Sequence, residues 1–143
     1  MKGDHLPADN HISRYCKFTT LSEETGQPLG TAFMPRPNKD KFLSVNWLEY
    51  FGDIGIEAQL TEIRTHINLK IKKSGRFSVL EVGNTLEYVN KNNDKEICIT
   101  HEPSNGDPSH SGIRGYSHED EMVGDLIAET VNSVHPAIPA IVP

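Results

Sequence analysis

The residues best suited to chemistry crowd into one stretch, His101 to Ser117 (HEPSNGDPSHSGIRGYS), which shows neither helical nor alternating apolar spacing. A compact domain rarely keeps about 15 irregular residues without a use for them. Histidine has the side chain whose ordinary pKa lies nearest neutral pH, and His110 stands between the hydroxyls of Ser109 and Ser111. His101 opens the stretch, and Arg114 and Tyr116 close it. A second group, His11, Arg14 and Tyr15, lies near the N-terminus. Together these side chains suit proton transfer on a phosphate compound. One imidazole takes a proton, a second returns one, and a guanidinium holds the developing charge. His11, Arg14, His101 and His110 are therefore the candidate catalytic residues, and Tyr15, Ser109, Ser111, Arg114 and Tyr116 the candidate substrate contacts. Their convergence requires the first strand to lie beside the Ile97–Thr100 strand.

Other chemistries are less well served. His101, Glu102, Asp107, His110, His118, Glu119 and Asp120 are all possible metal ligands, but the chain has no HExxH, no CxxC and no pair of helical histidines four apart. No metal site and no cofactor is expected. Gly106, Gly112 and Gly115 match neither a P-loop nor a dinucleotide fingerprint. The last helix would begin His-Glu-Asp-Glu after Ser117, and that negative charge repels a phosphate from its N-terminus. An anion would instead sit deeper in the stretch, near Arg114. Cys16 and Cys98 lie in strand-like runs and read as buried free thiols.

The elements that must position these groups follow from pattern. Arg14–Thr20, Thr31–Met34 and Phe42–Asn46 read as strands, and Trp47–Phe51 as a single helical turn. Leu60, Ile63 and Ile67 mark a helix from about Asp53. Phe77–Val82 is the clearest strand, Asn84–Lys91 a capped helix and Ile97–Thr100 an interior strand. After the irregular stretch, a capping pattern at Ser117 and Asp120 opens a last helix. Its stripe is Met122, Val123, Leu126, Ile127, Val131 and Val134, and His135-Pro136 ends it. The order β-β-β-α-β-α-β-α predicts an α+β fold: a mixed or antiparallel sheet of about five strands with two or three helices packed on one face. Residues 1–12 read as an irregular arm, 13–135 as one α+β domain, and 136–143 as an apolar tail broken by proline.

Composition bounds the partners. The chain has 143 residues, enough for a self-sufficient core, with 36% hydrophobic and 24% charged residues. A formal charge of −6, with no basic run longer than Lys72-Lys73, disfavours general nucleic-acid coating. No apolar run reaches the roughly 18 residues needed to span a bilayer, and the N-terminus lacks an export-signal pattern, so a cytoplasmic protein is expected.

HISRYC, FLSVNWLEYF, PSHSGI and the late HPA resemble segments of a family of small, uncharacterised bacterial proteins, over most of the chain. The resemblance implies a free-standing bacterial protein and carries no activity with it. The functional expectation therefore rests on the residues: acid–base chemistry on, or recognition of, a nucleotide-like phosphate compound. The alternative is a non-catalytic accessory module that meets a protein partner or a second copy through Trp47, Tyr50, Phe51 and the tail bearing Ile138, Ile141 and Val142.

Overall fold

The computed structural model describes residues 1–139. Six strands, β1 (His11–Cys16), β2 (Leu43–Trp47), β3 (Arg76–Glu81), β4 (Cys98–His101), β5 (His110–Arg114) and β6 (Val131–Pro136), form one sheet in the order β4-β5-β2-β1-β3-β6. Every neighbouring pair is antiparallel. Three helices, α1 (Ile56–His66), α2 (Val82–Lys91) and α3 (Glu121–Ala128), complete an α+β fold. No helix among the described residues is long and apolar enough to cross a membrane.

Side chains alternate across a strand, so register assigns each to a face. Ile12, Leu80, Val45 and Ile113 share a core with Val89 of α2 and with Val123 and Ile127 of α3. Phe77 and Val79 point the other way and pack with Leu60 and Ile63 of α1. Two helices thus cover one face, and α1 covers part of the opposite one. Burial on both sides explains why β3 reads as a nearly continuous apolar run. The uncovered remainder of the α1 face is where the cleft forms.

Several elements depart from expectation. β1 occupies His11–Cys16, not 14–20, and Phe18–Thr20 is a 3-10 turn. Thr31–Met34 is not a strand: Gly30–Phe33 is a 3-10 turn packed on α3, where Gly30 and Gly124 let the two backbones approach. The last helix begins at Glu121 rather than at Ser117, although Asp120 still accepts a 2.7 Å bond from the Ser117 amide. It also stops early. Thr130 bonds back to the Ile127 carbonyl at 2.8 Å and to Thr85 at 2.7 Å, and the β-branched Val131 and Val134 continue as β6 beside β3. Residues 1–12 are tied down: Leu6 is buried, and the arm pairs with β4 through Gly3, Asp4 and Leu6. Of the tail, Ala137 is buried, and Arg64 donates to its carbonyl at 2.9 Å. Residues 140–143, with Ile141 and Val142, lie outside the described part.

The largest correction concerns the irregular stretch. It is a β-hairpin: β4 and β5 pair from Cys98↔Arg114 to His101↔Ser111. Its tip is the Ser104–Asp107 bridge around Asn105-Gly106, where Gly106 takes φ +81°. β1 is not beside β4; β5 and β2 stand between them.

Candidate functional site

A cleft of about 570 Å³ opens on the face shared with α1. Its floor comes from β1, β2 and β5. One wall is the segment after α1, Ile67–Lys70, and the other runs from Thr31 to Asp40. Asn68 donates to the Asn105 carbonyl at 3.3 Å, which ties the first wall to the hairpin tip.

Three candidates from sequence meet there: Arg14, Tyr15 and His110. Pairing between β1 and β2 ends at Ser13↔Asn46. Beyond that point Arg14 spans the opening, donating from Nε to the Ala32 carbonyl at 2.9 Å and from Nη1 to the Ser44 carbonyl at 2.8 Å. It forms no ion pair among the described residues. The nearby carboxylate, Asp40, is bound by Arg36 at 2.9 Å, and that bond holds its carboxyl below the usual range. Burial pulls the Arg14 pKa down, opposed by Cys16, Tyr116 and Asp40, yet a guanidinium remains charged.

His110 projects from β5 onto the same floor. Its Nδ1 lies 2.7 Å from the Glu102 carbonyl, and its Nε2 lies 3.0 Å from the Ser44 hydroxyl. A carbonyl only accepts, so Nδ1 carries the proton, and in the neutral ring Nε2 accepts from Ser44. This is the geometry of a base poised on a hydroxyl, with the base oriented by a third group. Ser44 thus joins imidazole and guanidinium: its hydroxyl serves His110 and its carbonyl serves Arg14. Phe42 roofs this part of β5, with its ring 5.8 Å from that of His110 and 4.5 Å from the Arg114 guanidinium carbon. Gly112 makes this possible, since a Cβ there would stand 2.3 Å from the Phe42 ring. Tyr15 forms an edge of the cleft, its ring tilted against that of Phe77 and its hydroxyl accepting from the Lys72 amide at 3.0 Å.

The other six candidates lie outside the cleft wall, each for a visible reason. His11 is held by Glu49 at 2.7 Å near the start of β1. His101 is buried on the opposite face, edge-on to Trp47 at 5.2 Å, with Nε2 on the Pro108 carbonyl. Ser111 is buried on that face too and donates to the Ser109 carbonyl. Ser109 is buried and accepts from Asn46 at 3.0 Å, one step behind the floor. Arg114 is engaged by Glu102 at 3.0 Å, so it is not the free cation of the hairpin. Burial alone would raise the Glu102 carboxyl; hydrogen bonds from Thr100 and Arg114 outweigh it and bring the pKa down. Tyr116 is a core residue that donates to the Phe33 carbonyl at 2.6 Å, and burial pushes its phenol upward.

Three residues not expected from sequence, Ser13, Ser44 and Asn46, complete the floor together with Asp107, which the sequence offered only as a possible metal ligand. Each is a polar residue that would pass for a solvated one until strand order is known. Asp107 accepts from Asn46 at 2.9 Å, and burial raises its carboxyl. Among the described residues, no three His, Cys, Asp or Glu side chains are grouped to hold a metal ion. Burial likewise raises the Cys16 thiol, which makes it a poor nucleophile.

Comparison with protein-family models, with curated proteins and with solved structures gave no match.

Proposed function

We propose that the cleft binds a nucleotide-like phosphate compound and carries out acid–base chemistry on it. Arg14 holds the anion and His110 moves the proton. The observation that carries this reading is Arg14 itself: a part-buried cation lining the cleft, bonded to two neutral carbonyls and to no carboxylate among the described residues. Withdrawing a cation from water with no carboxylate bonded to it carries a desolvation cost, and an anionic ligand would offset that cost. His110, one residue away through Ser44, supplies a base whose tautomer is already set. It takes the proton from the Ser44 hydroxyl, or from a water in that place, as that oxygen forms a bond to phosphorus, and returns the proton to the ester oxygen that leaves as its own P–O bond breaks.

The test is an NMR titration of ¹⁵N-labelled protein with a nucleotide panel and inorganic phosphate. Shifts should gather at residues 13–15, 44–46 and 107–110, and Arg14→Gln should abolish them. Shifts elsewhere, or unchanged binding in the variant, would remove the reading.

The accessory-module alternative rests on a different observation. β6 ends the sheet with no strand on its outer edge among the described residues, and Ile138 just beyond it is exposed. Such an edge suits pairing with a second chain. Deleting residues 136–143 should then change the oligomer mass; an unchanged mass counts against it.

A further inference from the structure

The floor of the cleft contains a polar row of which the acid–base step uses only the His110 end. Cross-strand register sets Ser13 of β1 opposite Asn46 of β2, and Asn46 opposite His110 of β5. Adjacent strands lie about 4.8 Å apart, so the row spans roughly 10 Å from Ser13 to His110. Ser13 is only 2% exposed, and its hydroxyl has no hydrogen-bond partner among the described residues, although it lines the cleft. Asn46 spends both amide protons, on Asp107 Oδ1 at 2.9 Å and on Ser109 Oγ at 3.0 Å. That fixes the amide and leaves its Oδ1 as an acceptor. Asp107 keeps a second carboxylate oxygen without a protein donor among the described residues.

We propose that Ser13, Asn46 and Asp107 form a subsite for the hydroxyl-bearing part, sugar or polyol, of a phosphate ester whose phosphate sits at Arg14. The proposal rests on the reading of Arg14 as the anion-binding cation, and it names what lies at the other end of the ligand. The chemistry selects hydroxyl groups. Asn46 Oδ1 and the Asp107 carboxylate only accept, whereas Ser13 both donates and accepts. A ligand hydroxyl can donate to the first two while accepting from the third. An alkyl group would leave all three unpaired, and a second anion would meet the Asp107 carboxylate. The length of the row suits a phosphorylated pentose or a shorter polyol.

The experiment is calorimetric titration with glycerol 3-phosphate, propyl phosphate and inorganic phosphate. The two esters share a carbon chain and differ in their hydroxyls, so the first comparison needs no variant. The unmodified protein should bind glycerol 3-phosphate at least about tenfold more tightly than propyl phosphate, the scale of one or two well-placed hydrogen bonds. Ser13→Ala should remove most of that preference and leave inorganic phosphate unchanged. Equal affinity for the two esters, or an undiminished preference in Ser13→Ala, would overturn the subsite while leaving Arg14 as the anion site. If none of the three ligands binds, or if Arg14→Gln binds them as well as the parent does, the anion reading fails and the subsite falls with it.

Discussion

The Ser44 hydroxyl lies 3.0 Å from His110 Nε2, and the opposite ring nitrogen is fixed on the Glu102 carbonyl. Two strands far apart in sequence thus present a hydroxyl and a base at bonding distance. The base stands in the tautomer able to take the hydroxyl proton. The first prediction follows from this contact. His110→Gln should lower turnover of a responsive nucleotide by about 10²–10⁴-fold, the usual weight of a positioned acid–base group. Its binding constant should change little. Parallel rate and calorimetric measurements check the split, and equal losses in both would assign His110 to binding alone.

Arg14 should separate charge from packing. Arg14→Lys keeps a cation but loses the two-pronged bond to the Ala32 and Ser44 carbonyls. Arg14→Gln loses the charge. Phosphate affinity should fall by about tenfold or more in Arg14→Gln, and less in Arg14→Lys, read by calorimetry at low and moderate salt.

A side chain at Gly112 should be destabilising. A Cβ there meets the Phe42 ring at 2.3 Å, so Gly112→Ala should cost about 1–3 kcal/mol in urea unfolding, the usual range for overpacking. Truncating Phe42 to Ala in the same protein should recover part of that loss, because the two residues occupy one space. Strict additivity would contradict the contact.

Glu102 should make the hairpin acid-sensitive. Its carboxyl is buried, and bonds from Thr100 and Arg114 hold its pKa down in the folded state. A group with a depressed folded pKa contributes stability above its unfolded value, near 4.3, and loses it as pH falls through the folded one. Arg114→Met should therefore cost about 1.5–3 kcal/mol at neutral pH, the range for bonds to a charged group. Its deficit should shrink below about pH 4. Thermal melts across pH 2–7 check this, and a constant deficit would contradict it.

How much was legible varies by element, for physical reasons. Phe77–Val82, Ile97–Thr100 and the turn after Trp47 announced themselves because apolar side chains fill both faces or pack locally; the structure has them at Arg76–Glu81, Cys98–His101 and Leu48–Phe51. β5 hid because His110-Ser111-Gly112-Ile113-Arg114 holds one aliphatic residue. Its Gly is covered by Phe42, and its serine is buried among neighbours rather than exposed. Asn105-Gly106 was the available signal, a two-residue turn pair between strands. Residue type alone pointed to Arg14, Tyr15 and His110. Ser13, Ser44 and Asn46 gave no such sign, since polar residues alternating on a strand usually face water. Only the order β5-β2-β1 turns them into one surface.

The central claim is that Arg14 and His110 act in one site. It is tested most directly by following the imidazole resonances of His110 during titration with adenosine 5′-monophosphate, in the parent protein and in Arg14→Gln. Saturable shifts of the His110 ring signals are expected in the parent and none in the variant. Binding that leaves the His110 ring unmoved, or that moves it equally without Arg14, would contradict it.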